Sequence, residues 1–204
     1  LVAGTTGSGK TNTQRVLIYD LAKQNPPDAV RFLLIDTRKR GSAWHPFARL
    51  PHLVHTIVTE DEEALRSLAW AVAEIDRRAL SGQKRPRVFI GIDEAQALLD
   101  RGEFVKPISD LAAVGREFGI HVLVALQNPT AAQLGDASIK RNLTARLVGR
   151  VDSAQAANVA AGVKGSGAEL LTGAGDMLMV LPAGVRRMTA ALLTERDTDG
   201  LPRA

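Results

Sequence analysis

We expect an α/β fold with a mainly parallel central sheet flanked by helices, because two patterns recur along the chain. Apolar runs rich in Val, Ile and Leu are bounded by turn residues, and amphipathic helical segments lie between these runs. Continuous apolar strands are typical of a sheet that is covered on both faces. Their alternation with helices favours parallel pairing. The predicted strands are 30–36, 53–58, 87–93, 119–127, 145–151, 175–181 and 186–192.

The length and composition predict one globular domain. The chain has 204 residues, of which 45% are hydrophobic and 24% are charged, and this is enough to bury one core. The sequence contains no internal repeat and no low-complexity linker. We therefore place the domain at residues 1–194 and interpret residues 195–204 as a polar C-terminal tail.

The charge and the cysteine content of the chain indicate which partners it can bind and in which cellular compartment it works. Lys and Arg outnumber Asp and Glu by 26 to 22, which suits a phosphate-rich partner and equally suits an ordinary soluble surface. The absence of cysteine excludes disulfides and thiolate metal sites. No apolar stretch is long enough to span a membrane, so we expect a cytoplasmic segment without membrane contact of its own. A longer protein that tethers this segment to the cytosolic face of a membrane stays an alternative.

The most regular helix signal follows Thr59. Thr59 and Glu62 have the spacing of a capping box, acidic residues crowd the first turn, and Gly82 lies just beyond the last turn. Apolar side chains recur every three or four residues on one predicted face, at Leu65, Leu68, Val72, Ile75 and Ala79. We interpret this helix as scaffold.

The stretch LVAGTTGSGKT at the start of the chain contains the phosphate-loop pattern G-x-x-x-x-G-K-T. Its glycines allow backbone N–H groups to converge on phosphates, Lys10 is expected to reach the β and γ oxygens, and the Thr11 hydroxyl is a ligand for Mg²⁺. The predicted ATP-binding residues of this stretch are Gly4, Thr5, Thr6, Gly7, Ser8, Gly9, Lys10, Thr11 and Asn12. The alternative is a glycine-rich turn that precedes a lysine by chance.

The strand that leads into this loop contains only Leu1, Val2 and Ala3. We expect the sequence to begin inside a larger protein, because so short a strand would anchor the loop poorly in a free-standing enzyme. The alternative is a strand that was trimmed at its start.

A second candidate element is RVFIGIDEAQALL, in which Asp93 and Glu94 follow an apolar strand. Parallel α/β sheets bind ligands at the carboxyl ends of their strands. We therefore expect Asp93 to bind Mg²⁺, directly or through water, and Glu94 to act as the general base. The strand at 119–127 delivers Gln127 to the same edge, where its amide would sense the γ-phosphate or orient water. The alternatives are a helix N-cap for the acidic pair and a strand cap for Gln127.

Together these segments resemble the FtsK/SpoIIIE family of DNA translocases and its HerA-like relatives, which share the RecA-like P-loop NTPase fold. LVAGTTGSGKT, VFIGIDEAQALL, GREFGIHVLVALQ and GAELLTGAGDMLMV occur in that family's order, and the resemblance extends to about residue 190. It implies a homo-oligomer, usually a hexameric ring, that threads double-stranded DNA and hydrolyses ATP at subunit interfaces. It also implies that Arg116, in GREFGIH, is an arginine finger for the neighbouring subunit. The alternative is a surface arginine on an amphipathic helix.

The sequence departs from the family pattern in several loops. Asn128 stands where the family often has arginine, and Ala154 stands in place of a lysine, for which Arg150 is a substitute. TRKRG follows Asp36 where relatives often have a Pro-Lys-Gly type sequence, and its basic residues would line an interface, a phosphate path or a solvated loop. Further candidates for DNA contact, each with helix-surface solvation as the alternative, are Lys140, Arg141, Arg146 and Lys164.

The irregular segment 37–51 also contains Trp44 and Phe47, which we expect to pack under the loop and not to stack on bases. His45, His52 and His55 lie near one another in sequence, but without thiolates or spaced carboxylates they do not predict a metal site.

The predicted function is an ATP-hydrolysing motor that translocates double-stranded DNA, for chromosome segregation or mobile-element transfer. The first alternative keeps the ATPase but changes the cargo, as in FtsK-like secretion ATPases that act on proteins. The second alternative is a nucleotide-binding module without turnover. The intact acidic pair argues against this module, because a site that only holds nucleotide does not require a water-activating carboxylate.

Overall fold

A seven-stranded sheet forms the centre of the computed structural model, which describes residues 1–127 and 137–202. The strands are β1 (Val2–Gly4), β2 (Val30–Ile35), β3 (Arg87–Ile92), β4 (Ile120–Gln127), β5 (Arg146–Val148), β6 (Asp176–Leu181) and β7 (Gly184–Thr189). Their order is β2-β3-β4-β1-β5-β6-β7. The strands from β2 to β5 pair in parallel, and β6 and β7 continue the sheet antiparallel. The predicted α/β fold with a mainly parallel sheet is confirmed.

Helices cover both faces of this sheet. They are α1 (Lys10–Gln24), α2 (Asp61–Ser81), α3 (Gln96–Leu99), α4 (Val105–Val114), α5 (Ala137–Asn142), α6 (Ala154–Ala161) and α7 (Glu195–Thr198). Side chains alternate between the two faces of a strand. Accordingly, Leu33 and Ile35 of β2 belong to a core shared with α2 and α4, whereas Phe32 and Leu34 pack in a second core with α1.

The predicted strand at 53–58 is wrong. This segment meets β2 only through isolated parallel bridges at its two ends, Phe32 with Leu53 and Ile35 with Val58. Between these bridges the ring of His55 hydrogen-bonds the Ser67 hydroxyl of α2 at 3.1 Å. The segment is therefore held against the sheet at both ends without forming a continuous ladder.

The long helix α2 begins later than its sequence pattern predicts. Its N-cap is Glu60, with no side-chain capping bond, so the predicted capping box of Thr59 and Glu62 is wrong because the helix starts one residue out of register with it. Gly82 closes the helix in the left-handed conformation, as expected. The predicted core position Ala79 is exposed, and the neighbouring Arg78 is buried in its place.

The segment between β2 and α2 packs beneath its own loop. Trp44 and Phe47 are fully buried, which confirms that they lie under the loop. The Trp44 indole N–H donates to the carbonyl of Ile35 at 3.0 Å. A Cβ atom at Gly91 of β3 would lie only 3.1 Å from the Trp44 ring. Glycine at this position therefore makes room for the indole.

The end of the chain touches the second core. The short helix α7 is capped by a reciprocal pair, Thr194 and Asp197, and Leu201 is buried among residues of that core, including Phe47. The division of the chain at residue 194 stays a prediction. Among the helices of the described residues, none is long and apolar enough to cross a membrane.

Candidate nucleotide-binding site

The phosphate loop connects β1 to α1 in a conformation that requires glycine. Gly4 has φ +150°, and a Cβ atom there would lie 2.6 Å from the Ser8 hydroxyl. Gly9 has φ +96°, and a Cβ atom there would lie 2.8 Å from the backbone N of Gly175. Left-handed backbone costs little at glycine alone. The two glycines of the motif thus allow the loop to close tightly over its neighbours.

A second loop, residues 172–176, supports the phosphate loop from behind. The N–H of Ala174 donates to the carbonyl of Gly7 at 3.1 Å, and the N–H of Gly175 donates to the carbonyl of Ser8 at 3.0 Å. These bonds pair two backbone carbonyls of the phosphate loop. The sequence analysis assigned no role to this segment, although its repeated glycines were a signal of close backbone approach.

Lys10 and Thr11 lie where the motif predicts. The Lys10 ammonium donates to the Thr5 carbonyl at 2.8 Å. Burial lowers the pKa of Lys10, and the nearby Asp93 carboxylate opposes that shift. The Thr11 hydroxyl lies 3.2 Å from each carboxylate oxygen of Asp93. Hydroxyl and carboxylate oxygens are ligands that Mg²⁺ prefers, so this pair fits the metal of a magnesium nucleotide.

The acidic pair follows β3 at the same edge of the sheet. The Asp93 side chain is 1% exposed, whereas that of Glu94 is 33% exposed and open to solvent. Glu94 also has φ +46°, a left-handed backbone conformation that is uncommon outside glycine. Strained backbone of this kind is typical of functional positions. The geometry thus separates a buried ligand candidate from an accessible base candidate.

A basic residue contacts this acidic pair, and the sequence analysis did not foresee the contact. The Lys39 ammonium lies 3.1 Å from Asp93 Oδ2 and 2.8 Å from Glu94 Oε1. Burial alone would lower the pKa of Lys39, but its hydrogen bond to Glu94 and the charge of Asp93 raise it overall. Arg38, Lys39 and Arg40 are all exposed. Lys39 belongs to the candidate site because of these contacts, whereas Arg38 lies 3.9 Å from Asp61.

Gln127 reaches the phosphate loop from β4. Its backbone is in register with Gly4 of β1, and its amide donates to the Thr6 hydroxyl at 2.6 Å. An open cavity of about 530 Å³ adjoins this contact and is lined by residues of both loops, including Gly7 and Gly173. The structure brings Gln127 to the phosphate loop, and its role toward the γ-phosphate stays a prediction.

Three predicted nucleotide contacts direct their side chains elsewhere. The Asn12 amide binds the C-terminal segment, donating to the carbonyl of Ala191 at 2.7 Å and accepting the N–H of Leu193 at 2.9 Å. The Ser8 hydroxyl is buried beneath the loop. The Thr5 hydroxyl donates to the carbonyl of Arg150 at 3.1 Å. Any nucleotide contact from these residues would therefore involve the backbone.

Arg116 lies near the beginning of β4, whereas the phosphate loop lies at the end of that strand. It belongs to the turn that precedes β4, whereas Gln127 ends that strand. Gln127 lies seven positions after Ile120 along β4, which corresponds to roughly 23 Å. Arg116 is exposed, and after burial and Arg87 it contributes to the lowered pKa of His121. The arginine is therefore not part of the site in its own subunit.

The candidate DNA contacts divide into different groups. Arg146 is buried, and its guanidinium donates to the carbonyls of Leu143, Val159 and Ala160, so its prediction as a DNA contact is wrong. Arg146 begins β5, and its Nη1 group donates to carbonyls in the last turns of α6. Arg141 and Lys164 are exposed. Asn128 and the side chain of Lys140 lie outside the described residues.

Two of the three histidines, His52 and His55, form hydrogen bonds within the fold. His52 is buried and its ring bonds the carbonyl of Asn25 at 2.8 Å, while His55 bonds Ser67. Within residues 1–127 and 137–202, no group of three metal-ligating His, Cys, Asp or Glu side chains comes together.

Sequence comparisons relate this chain to known translocases. Residues 1–81 match the model of the FtsK/SpoIIIE family. The chain is 32% identical to DNA translocase FtsK of Helicobacter pylori strain J99 over 221 residues, an alignment that covers 97% of this chain and 26% of that protein. The chain thus spans about a quarter of the length of this curated relative.

Solved structures share the fold over almost the whole chain. The pCW3 conjugation coupling protein TcpA with ATPγS has a TM-score of 0.80 and 22% identity, and the match covers 96% of this chain and 61% of TcpA. The cytoplasmic domain of the Thermomonospora curvata type VII secretion ATPase EccC has a TM-score of 0.79 and 25% identity. This match covers 94% of this chain and 25% of the EccC chain. The comparisons confirm the resemblance that the motifs predicted, and this chain is a P-loop NTPase of the FtsK/SpoIIIE type.

Proposed function

We propose that this segment hydrolyses ATP with Mg²⁺ and couples hydrolysis to the movement of double-stranded DNA through a homo-oligomeric, hexameric ring. The observation that carries the proposal is the contact of the Thr11 hydroxyl with both oxygens of Asp93, at 3.2 Å, beside the phosphate loop. This contact joins a phosphate-binding element to an acidic pair that can hold a metal ion and activate water.

The residues of the site divide the chemistry of hydrolysis among them. A bound Mg²⁺, held by Thr11 and Asp93, would neutralise charge on the β- and γ-phosphates. Lys10 stabilises the oxygens that gain charge as the bond to the leaving ADP breaks. Glu94 accepts the proton of the water whose oxygen attacks the γ-phosphorus. Gln127 orients this water or senses the γ-phosphate, and the products are ADP and phosphate.

Arg116 would complete the site of a neighbouring subunit. Its position at the edge of the sheet opposite the phosphate loop fits a contribution in trans and not in cis. An arginine placed against the γ-phosphate can contribute 10³- to 10⁵-fold in rate. An isolated subunit is then expected to bind ATP and hydrolyse it slowly, and the rate per subunit rises as the ring assembles.

Double-stranded DNA is the proposed cargo. The support is the relation to a protein named as a DNA translocase, together with the excess of basic residues. The likeness to a protein named as a type VII secretion ATPase supports a second candidate, a protein cargo. With either cargo, we propose that this segment acts in the cytoplasm, a location that is consistent with its lack of cysteine.

The test measures the ATPase rate per subunit against protein concentration, with and without long duplex DNA. The ATPase rate per subunit of the wild type is expected to rise with protein concentration, and long duplex DNA is expected to increase it further. Glu94→Gln should abolish turnover while nucleotide still binds. Arg116→Ala should remove the concentration-dependent increase, whereas Arg66→Ala, which removes an exposed arginine from α2, should retain it.

The results separate the candidate functions. Stimulation by a secreted peptide and none by DNA would favour the protein cargo. Nucleotide binding without turnover at every concentration and with either cargo would favour the module that only binds nucleotide. An Arg116→Ala protein that assembles and hydrolyses ATP at the normal rate would contradict the arginine finger.

A further inference from the structure

The segment after β2 delivers a cation to the centre of the candidate site. The Lys39 ammonium bridges the two members of the acidic pair, at 3.1 Å from Asp93 and 2.8 Å from Glu94. We propose that Lys39 is a positioning residue of the nucleotide site, which holds this carboxylate pair together and competes with the metal of the magnesium nucleotide for Asp93. This inference rests on the proposed function, because it concerns the same site.

The turn that carries Lys39 is built to place it there. The buried carboxylate of Asp36 accepts the backbone N–H of Lys39 at 2.8 Å through one oxygen and that of Ala43 at 3.0 Å through the other. The Asp36 carbonyl also accepts the N–H of Gly41 at 3.0 Å. A buried carboxylate that binds the backbone of its own loop fixes the path of that loop. Lys39 is thus held at a defined distance from β3.

Uncommon backbone conformations flank the contact on both sides. Arg40, next to Lys39, has φ +51°, and Glu94, its partner, has φ +46°. Each is a non-glycine residue in the left-handed region, which costs free energy unless the surrounding structure compensates. Such residues are typical of functional sites. One of these residues is the chain neighbour of Lys39 and the other is its ion-pair partner, which supports a functional contact and not a chance surface pairing.

The competition follows from the positions of the cations. Thr11 and Asp93 are the oxygen ligands that the site offers to Mg²⁺, and Asp93 Oδ2 is also the atom that Lys39 contacts. A Mg²⁺ ion lies about 2.1 Å from its ligands, so two cations on one carboxylate group would repel each other strongly at this buried position. Metal binding at Asp93 therefore requires the Lys39 ammonium to move away from Asp93. The ammonium then keeps Glu94 as its partner.

The experiment titrates Mn²⁺, used as a paramagnetic probe for Mg²⁺, into protein that is saturated with a non-hydrolysable ATP analogue. Bound metal is read by electron paramagnetic resonance, so that turnover does not enter the measurement. Lys39→Gln removes the competing charge and should lower the half-saturating Mn²⁺ concentration by about three- to tenfold. Lys39→Arg retains a cation and should stay within about twofold of the wild type.

Arg38→Gln is the matched control. It removes one positive charge from the same turn, but the Arg38 side chain lies 3.9 Å from Asp61 and is 43% exposed. The two side chains are exposed to a similar extent, 43% for Arg38 and 40% for Lys39, but the carboxylate near Arg38 is that of Asp61 and not that of Asp93. The half-saturating Mn²⁺ concentration of Arg38→Gln should therefore stay within about twofold of the wild type. Equal values for Lys39→Gln and Arg38→Gln would overturn the inference and leave the nucleotide site intact.

A second pair of variants covers the case in which Lys39→Gln does not fold. Lys39→Gln alone leaves the Glu94 carboxylate without its ion-pair partner. The Glu94→Gln variant and the double variant of Lys39→Gln with Glu94→Gln both lack this carboxylate. The double variant should bind Mn²⁺ about three- to tenfold more tightly than Glu94→Gln alone, since Asp93 is freed of its competitor. No difference between them would overturn the inference. A wild type that binds no metal–nucleotide complex at all would instead overturn the proposed function, and this inference with it.

Discussion

The guanidinium of Arg78, in the last turn of α2, donates to the carbonyl of Phe118 at 2.8 Å, and Phe118 lies in the turn that carries Arg116. A second bond joins Arg78 to the carbonyl of Pro86 at 2.7 Å, ahead of β3. Its charge is balanced by Glu74, one helical turn earlier, at 2.8 Å. A buried arginine of the scaffold helix thus fixes the loop that presents the proposed finger.

Replacing Arg78 by Gln should destabilise the fold by about 3 kcal/mol, because it leaves Glu74 without its buried partner and two carbonyls without donors. The free energy of unfolding in urea is the measurement. Arg77→Gln is the matched control, since Arg77 also pairs with Glu74 but its side chain is 52% exposed against 2% for Arg78. The control should cost less than about 1 kcal/mol. Equal losses for the two variants would contradict the buried role of Arg78.

The ion pairs of Glu74 with Arg77 and Arg78 predict that the stability of the fold depends on pH. Hydrogen bonds from Arg77 and Arg78 lower the pKa of Glu74 from 4.5 to about 2. Because the folded state favours the ionised form, this stabilisation is fully present above about pH 4.5 and is lost as the pH falls towards 2. The unfolding free energies of the wild type and Glu74→Gln should differ by about 2–3 kcal/mol at pH 6 and converge near pH 2. A difference that stays constant with pH would show that Glu74 acts through packing and not through its charge.

The phosphate loop and the acidic pair were predictable because their signals are local. Lys10 and Thr11 lie within seven residues of both glycines of their motif, Gly4 and Gly9. Asp93 follows a strand whose parallel pairing fixes the edge of the sheet at which that strand ends. The register of Gly4 with Gln127 follows from the same rule. Short-range spacing and parallel topology are therefore sufficient to predict that these side chains meet at one edge of the sheet.

The contacts of Lys39, Arg78 and Arg146 could not be predicted in this way. Lys39 meets the acidic pair only because Asp36 folds its turn, which no periodicity reveals. Arg146 was expected at a surface, and no pattern in the sequence marked Arg78 as buried, since arginine is mostly exposed in folded proteins. Both are buried because their donors satisfy carbonyls of distant segments. Bonds between segments far apart in sequence depend on tertiary packing alone.

Gly91 of β3 should not tolerate a side chain. An added Cβ would lie 3.1 Å from both the Trp44 ring and a methyl group of Leu34, so the indole must shift within a closed core. Gly91→Ala is expected to cost about 1–3 kcal/mol, measured by urea unfolding and by a changed fluorescence of Trp44. Gly200→Ala is the control, because a Cβ there meets nothing within 4 Å and its φ is not left-handed. If Gly91→Ala is as stable as the control, the packing of Trp44 against β3 is looser than described.

Asp176 should affect nucleotide binding although it lies behind the phosphate loop. Its carboxylate accepts the N–H and hydroxyl of Thr172 at 2.9 and 3.0 Å and binds Arg187, and these bonds hold its pKa well below the usual range. They close the loop 172–176, whose N–H groups bond the carbonyls of the phosphate loop. Asp176→Asn exchanges an acceptor for a donor opposite Thr172 and loses the ion pair, so the loop should loosen.

The expected result for Asp176→Asn is a loss of about 2 kcal/mol in unfolding free energy and a nucleotide affinity weakened by about tenfold, as is typical when groups that support a ligand shell are removed. Calorimetry with a non-hydrolysable ATP analogue measures the affinity. Asp110→Asn is the control with the same chemical change, since Asp110 forms a helix-surface pair with Lys106 and its side chain is 41% exposed. A variant that loses stability but binds nucleotide as tightly as this control would show that the loop 172–176 supports the fold without shaping the phosphate loop.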